Sequence, residues 1–433
     1  MLGKTLYTLA AQALGTLGAL AIGIVLARVL GPSGRGAVSY AWLVLGMAAL
    51  YADGPAAAII AQYANDKFRR RDVYRGLLRA LPILIVPAAI GFAVVAFTLP
   101  GQMPLLAVAC ALPFAVYAQC VKGFFLAETR IRTANGVDLI PLAGYAVLGS
   151  VVVLLGGGVV GALVTWVAAY AASALFGALA IRRAPALERA TVSGEPAALA
   201  RGQLVFGAKS GLMYAAGYVN LRMGAFVVAA MLGDAALGIY TVVVAVSELL
   251  WKISNALAWS AFGRIAGDDD VRELVGRIAR SVVLVELVLG IVVFAGGPWL
   301  ITHVYGAAFA SAALPLRIMV FGVAAYAVEP ILGYFILVRC KRPMLVLSIQ
   351  VGAAALCGGI AFLAIPRYGI AGAAAATAAT YVCVVIVKAT IVARALRMPV
   401  AELIVPRSSD ALAIAGALRR AVHRRLTPTA AAA

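Results

Sequence analysis

Ionisable side chains are scarce in this chain: 12% of its 433 residues are charged, against 64% hydrophobic. A soluble domain carries about 25% charged residues, so a water-facing surface over most of the chain is excluded. Histidine occurs only twice, and HExxH, GxSxG and a phosphate-binding glycine loop are all missing. That removes the usual signatures of zinc proteases, serine hydrolases and nucleotide hydrolases. The five cysteines (Cys110, Cys120, Cys340, Cys357, Cys383) sit in or beside apolar stretches with no CxxC spacing. Neither a disulfide framework nor a thiolate metal site is expected, and packing residues are. Acidic residues are also few, 17 against 36 Lys and Arg. No catalytic residue, metal or cofactor is expected, and the chain does not read as an enzyme.

What the sequence has instead is long apolar runs. Crossing about 30 Å of hydrocarbon takes roughly 20 helical residues. The runs predict helices over 5–30, 37–63, 80–99, 105–127, 137–155, 159–181, 203–231, 238–263, 281–303, 314–338, 344–365 and 370–393. The expected fold is an all-α integral membrane protein with about 12 transmembrane helices. The first run is too long for a cleaved signal and reads as a retained helix. Of the 36 Lys and Arg, 27 then fall on one side, from Lys4 through the 67–79 cluster to the seven of the C-terminal tail; four lie on the other side and five within helices. This positive-inside bias predicts cytoplasmic termini. It also assigns the net charge of +19 to orientation and anionic membrane lipid, with no nucleic-acid partner.

Self-comparison finds a repeat. Leu30-Gly31 with Gly36 recurs as Leu232-Gly233 with Gly238, 202 residues on. Gly123-Phe124-Phe125-Leu126 recurs as Gly333-Tyr334-Phe335-Ile336 at 210, and Gly158-Val159-Val160-Gly161-Ala162 as Gly369-Ile370-Ala371-Gly372-Ala373 at 211. Matches in one order at slowly growing offsets predict two parallel six-helix bundles around a central cavity. The expected domains are 1–181, a cytoplasmic linker 182–202, a second bundle 203–393 and a basic cytoplasmic tail 394–433. Asp53-Gly54-Pro55 predicts a kink with the acid pointing inward. In the tail, Leu412, Leu418, Val422 and Leu426 share one side of a basic helix expected to lie on the inner leaflet.

Charges inside apolar helices locate the candidate site. A cation at membrane depth costs at least about 2.5 kcal/mol on insertion scales, so it usually faces protein or a water-filled cavity. Ser210, Tyr214, Tyr218 and Arg222 fall every fourth residue and form a polar stripe. A guanidinium can grip phosphate in a bidentate way, and rings can stack on sugar; tyrosines packed between helices are the competing reading. Lys209 joins this face only if the helix bends at Gly211 or Gly217. Glu248 and Lys252 are spaced for an intrahelical ion pair. Lys122 and Lys388 each stand within two turns of a cytoplasmic helix end, where snorkelling is favoured for Lys388. Arg28 and Arg317 read as end anchors. Lys209, Tyr214, Tyr218, Arg222, Lys252 and Lys122 are the candidate substrate contacts. Asp53, Glu248 and Glu329 are candidates for coupling to an ion, H+ or Na+.

Ala27-Arg28-Val29-Leu30-Gly31-Pro32, Gly238-Ile239-Tyr240 leading to Ser247-Glu248-Leu249-Leu250-Trp251, Val304-Tyr305-Gly306 and Ile365-Pro366-Arg367-Tyr368-Gly369 together carry a resemblance. Over nearly its whole length the chain resembles the polysaccharide-biosynthesis flippases of the multidrug/oligosaccharidyl-lipid/polysaccharide exporter superfamily. The resemblance implies alternating-access transfer of undecaprenyl-diphosphate-linked oligosaccharide to the outer leaflet of the bacterial cytoplasmic membrane. Two alternatives remain: a multidrug exporter of the same superfamily, whose organic cations a Lys- and Arg-containing cavity would repel, and a membrane glycan polymerase or ligase, which would need a long external loop.

Overall fold

The computed structural model describes residues 2–99, 101–183, 190–251, 265, 271–408 and 410. Among them the structure is helical, with no strand and a single isolated bridge between Phe68 and Val192. In chain order the helices are α1 (Leu2–Ile60), α2 (Arg70–Thr98), α3 (Pro104–Ala127), α4 (Ile131–Gly144), α5 (Ser150–Leu154), α6 (Gly158–Arg183), α7 (Pro196–Ser247), α8 (Val271–Leu300), α9 (Ala313–Tyr326), α10 (Glu329–Val338), α11 (Pro343–Ala395) and α12 (Val400–Ile404). Nine helical runs among the described residues are long and apolar enough to cross a membrane. Their outer faces match that solvent. Along α2, Ile83, Val86, Ile90, Val94 and Phe97 recur at steps of three and four, and all are exposed. Such a stripe would be a core face in water; against lipid it needs no protein cover. The protein is an all-α integral membrane protein.

Three helices are too long for one crossing. α1, α7 and α11 run for 59, 52 and 53 residues, which if straight would span about 80–90 Å. Each is interrupted at a glycine with positive φ: Gly31 at +65°, Gly233 at +75° and Gly369 at +55°. These are the joints the sequence predicts between helices 1 and 2, 7 and 8, and 11 and 12. Glycine is suited to each because a Cβ strains the left-handed region.

The first two turns are reciprocal. Gly31 and Gly233 share nearly one backbone conformation, with ψ of −172° and −169°. A Cβ on Gly36 would lie 1.8 Å from the Asp234 carbonyl oxygen, and one on Gly238 would lie 2.0 Å from that of Pro32. The Ser39 and Thr241 hydroxyls meet at 3.3 Å. Gly31 and Gly233, Pro32 and Asp234, Gly36 and Gly238, and Ser39 and Thr241 each stand 202 residues apart, so a residue on one turn meets the counterpart of its own partner, as in a two-fold contact.

The chain packs as two compact units, Met1–Thr241 with Thr302–Phe309, and Val242–Ile301 with Ala310–Ala433. In the first, a continuous core runs through Leu45, Tyr63, Leu77, Leu112, Phe124, Phe125 and Ala162. Close approach is set by small residues, as is usual between membrane helices: a Cβ on Gly123 would lie 2.8 Å from the Ala56 carbonyl oxygen. The Thr302–Phe309 segment is held by arginines of α1. Arg28 donates from Nε to the Val304 carbonyl at 2.9 Å and also to the His303 carbonyl, and Arg35 stands 5.3 Å from the Tyr305 ring centroid. Arg28 is thus more than an end anchor. Arg317, in the second unit, is exposed and lies over the Phe294 ring at 5.4 Å.

In the second unit, Trp251 donates to the Val323 carbonyl at 2.8 Å and packs beside Tyr326 and Tyr381, whose own rings are 4.4 Å apart. The segment after α11 folds back onto α8. Arg280 donates to Asp410 Oδ2 at 2.8 Å and to the Glu402 carbonyl at 2.7 Å, while Leu403 is fully buried. Burial alone would push the Asp410 carboxyl up, but the Arg280 guanidinium and the Arg407 backbone N–H together hold it below the usual carboxylate range.

Several boundaries differ from those expected. α2 begins at Arg70, inside the basic stretch read as a loop through Arg79, and α8 begins at Val271 rather than 281. Hydrophobicity marks only the part of a helix in lipid, whereas the first turns of α2 and α8 bury Val73, Leu77 and Val275 against protein. The predicted 314–338 helix is broken at Ala327–Val328, where Pro330 cannot donate to the ladder. At the kink predicted for Asp53-Gly54-Pro55 the backbone keeps helical φ/ψ; α1 continues to Ile60 and widens into a π turn over Ala61–Asn65. The basic tail helix expected around Leu412–Leu426 lies outside the described residues.

Candidate functional site

The polar residues of the first unit gather where α1, α3, α4, α6 and α7 carry them. Lys122 in α3 pairs with Asp138 in α4, its Nζ lying 2.6 Å from Oδ2 and 2.9 Å from Oδ1. Gln119, one helical turn before Lys122, donates to the same carboxylate at 3.4 Å. Asp53 of α1 is half-buried and feels both the Lys122 ammonium and the Asp138 carboxylate. Tyr170 in α6 is within electrostatic reach of Asp138 and Tyr218. One ammonium faces two carboxyl groups here, so with all three ionised this cluster carries one net negative charge. Side-chain exposures of 23% for Lys122 and 39% for Asp138 leave the pair part-exposed.

The second half of α1 and the first part of α7 lie against each other along their length. Gln203 donates to Gln62 Oε1 at 2.9 Å and to the Val73 carbonyl at 3.2 Å, while Gln62 donates to the Leu199 carbonyl at 3.0 Å. Further along, a Cβ on Gly54 would lie 2.2 Å from the Gly207 carbonyl oxygen, and one on Gly46 would lie 2.2 Å from the Tyr218 hydroxyl oxygen. Tyr218 therefore fills the gap left by Gly46, and its hydroxyl donates to the Leu43 carbonyl at 3.0 Å.

The other α7 candidates differ in setting. Lys209 is exposed, Tyr214 is 50% exposed and Arg222 is half-buried. Lys252 lies outside the described residues, and its expected pairing with Glu248 lies there too; Glu248 is half-buried in the second unit. Glu329 begins α10 and pairs with Lys388 of α11, and Gln350 donates to the same carboxylate oxygen at 3.3 Å. This corrects the snorkelling expected of Lys388, whose side chain is fully buried. Reasoning from sequence missed Asp138, Gln119, Gln350 and the partnership of Lys388. Asp138 could have been found as an acid inside a predicted helix; its partner across helices has no local spacing.

A family model described as polysaccharide biosynthesis protein matches residues 25–314. No curated protein matches the chain by sequence. Among solved structures, the chain is similar to the lipid II flippase MurJ in an inward closed conformation, with a TM-score of 0.77 at 11% identity over 92% of this chain and 89% of that one. It is also similar to an inward-facing multidrug-resistance MATE family transporter of the MOP superfamily, with a TM-score of 0.70 at 18% identity over 88% and 95%. A MOP-superfamily transporter from Pyrococcus furiosus gives 0.57 at 14% identity over 90% and 95%. What the chain shares with these three is the fold.

Proposed function

The chain belongs to the polysaccharide biosynthesis protein family, and on that premise we propose that it is a flippase for undecaprenyl-diphosphate-linked oligosaccharide. In this reading it carries its cargo from the inner to the outer leaflet of the bacterial cytoplasmic membrane by alternating access, for surface polysaccharide synthesis. Its work is transport rather than catalysis. We take the long helices α1, α7 and α11 as two crossings each, which makes twelve in two parallel six-helix halves, 1–181 and 203–393, joined by 182–202 and followed by a cytoplasmic tail 394–433. The reciprocal Gly31 and Gly233 turns support that repeat.

The observation that carries the reading is the set of cationic and aromatic side chains on the first part of α7, within a fold shared with a lipid II flippase. Lys209 and Arg222 supply cations for a diphosphate, with Lys252 as a third. Tyr214 has an exposed ring for stacking on sugar, while Tyr218 fixes α7 to α1. Lys122 acts together with Asp138 rather than as a lone phosphate ligand. Asp53, Glu248 and Glu329 are the acids assigned to ion coupling, by H+ or Na+.

Reconstituted vesicles loaded with fluorescent lipid-linked oligosaccharide test this. The unaltered protein is expected to expose the glycan on the far leaflet, and Arg222→Gln with Lys209→Gln to lower the rate at least tenfold while folding normally. Full transport by the double variant would overturn the assignment of these cations. The acid excess at Asp53 and Asp138 favours one second reading, an organic-cation antiporter of the same superfamily. Failure of the unaltered protein to move the glycan, together with cation-driven proton release, would select it.

A further inference from the structure

A lone lysine deep in a membrane protein either reaches the interface or finds a counter-charge. Lys388, seven residues before the end of α11, is fully buried and pairs with Glu329. Glu329 is the first residue of α10, directly after the break at Ala327–Val328. Gln350 brings an amide to the same carboxylate at 3.3 Å. A Cβ on Gly333, one turn along α10, would lie 3.2 Å from both Glu329 Oε1 and Lys388 Nζ. Glycine at that position keeps room for the ammonium.

We propose that Glu329 and Gln350 form a site for a monovalent cation, and that its permanent occupant is the ammonium of Lys388. The second unit thereby carries its own cation and takes no Na+ from solution. The first unit holds the same three chemical groups in another state. Gln119, which precedes Glu329 by the repeat's 210 residues, meets Asp138, the partner of Lys122, but there the pair is part-exposed and a second acid, Asp53, is in reach. An ion exchanged during transport belongs in the first unit. That last step rests on the transport reading; the cation site in the second unit does not.

Thermal unfolding of the purified full chain in NaCl against choline chloride at equal ionic strength tests the site without any transport assay. The unaltered protein is expected to melt at the same temperature in both salts. Lys388→Ala and Lys388→Ser should melt lower in choline and recover about 2–4 °C in Na+ once the vacated site is largely filled. Adding Glu329→Gln to either should abolish that recovery. The proposal is overturned if Na+ stabilises the unaltered protein and Glu329→Gln removes the effect. It is equally overturned if neither Lys388 variant responds to Na+, or if neither folds in Na+, because the ion is expected to replace the lost charge.

Discussion

At the residue scale, the contact between Gly46 and Tyr218 ties backbone to side chain most tightly. Because a Cβ on Gly46 would lie 2.2 Å from the Tyr218 hydroxyl oxygen, Gly46→Ala must push the ring off α1 and break the bond to Leu43. Overpacking of this kind costs about 1–3 kcal/mol, whereas Tyr218→Phe loses one hydrogen bond worth about 1 kcal/mol. Gly46→Ala is therefore expected to lower the melting temperature more than Tyr218→Phe. Combined with Tyr218→Ala it should cost less than the sum of the two, a coupling that a double-mutant cycle reads directly. Lys122 and Asp138 follow a different rule, since removing one member leaves the other charge inside an apolar span without its partner. Lys122→Met and Asp138→Asn are each expected to slow transport more than the two together, as measured in the vesicle assay. Lys122, Asp53 and Glu329 stand out in the sequence because a charge in an apolar helix is conspicuous. Their partners Asp138 and Lys388 come from other helices, and no spacing along one helix announces a contact made by tertiary packing.

At the element scale, the turns were readable and the helix ends were not. Glycines 31, 233 and 369 each sit where an apolar run must reverse, and a left-handed φ is what glycine allows. The starts of α2 and α8 are amphipathic turns packed on protein, and these replace continuous hydrophobicity as the signal. The segment after α11 is the clearest such case: Leu403 is buried, and Arg280 joins the segment to α8 through Asp410 and the Glu402 carbonyl. The Asp410 carboxyl is held below its usual range in the folded protein. Its contribution to stability is thus present above the unfolded carboxylate value of about 3.9 and is lost as pH falls through the lower folded value. Hydrogen exchange across Val400–Ile404 is expected to stay slow from pH 7 to 5 and to quicken below about pH 4. Arg280→Ala should make it fast at every pH, because Asp410 then loses its partner and the Glu402 carbonyl its donor.

At the scale of the whole molecule, the reciprocal turns at Gly31 and Gly233 are where the repeat takes physical form. Two backbones approach closely enough that neither Gly36 nor Gly238 tolerates a Cβ, and equivalent hydroxyls from Ser39 and Thr241 meet beside them. In the sequence the two turns share one short glycine pattern, and that pattern does not announce that the turns touch each other. If the protein works by alternating access, this contact must be made and broken once per cycle. Ser39→Cys with Thr241→Cys, introduced after replacing the five native cysteines, tests that requirement. The hydroxyl oxygens are 3.3 Å apart, and closing to a sulfur–sulfur bond of about 2.05 Å needs only a small shift. The oxidised protein is expected to bind its lipid-linked cargo without moving it, and reduction should restore transport to the rate of the cysteine-free parent. Unimpaired transport by the fully cross-linked protein would mean that these turns stay together throughout the cycle, and the opening would then have to be sought elsewhere in the chain.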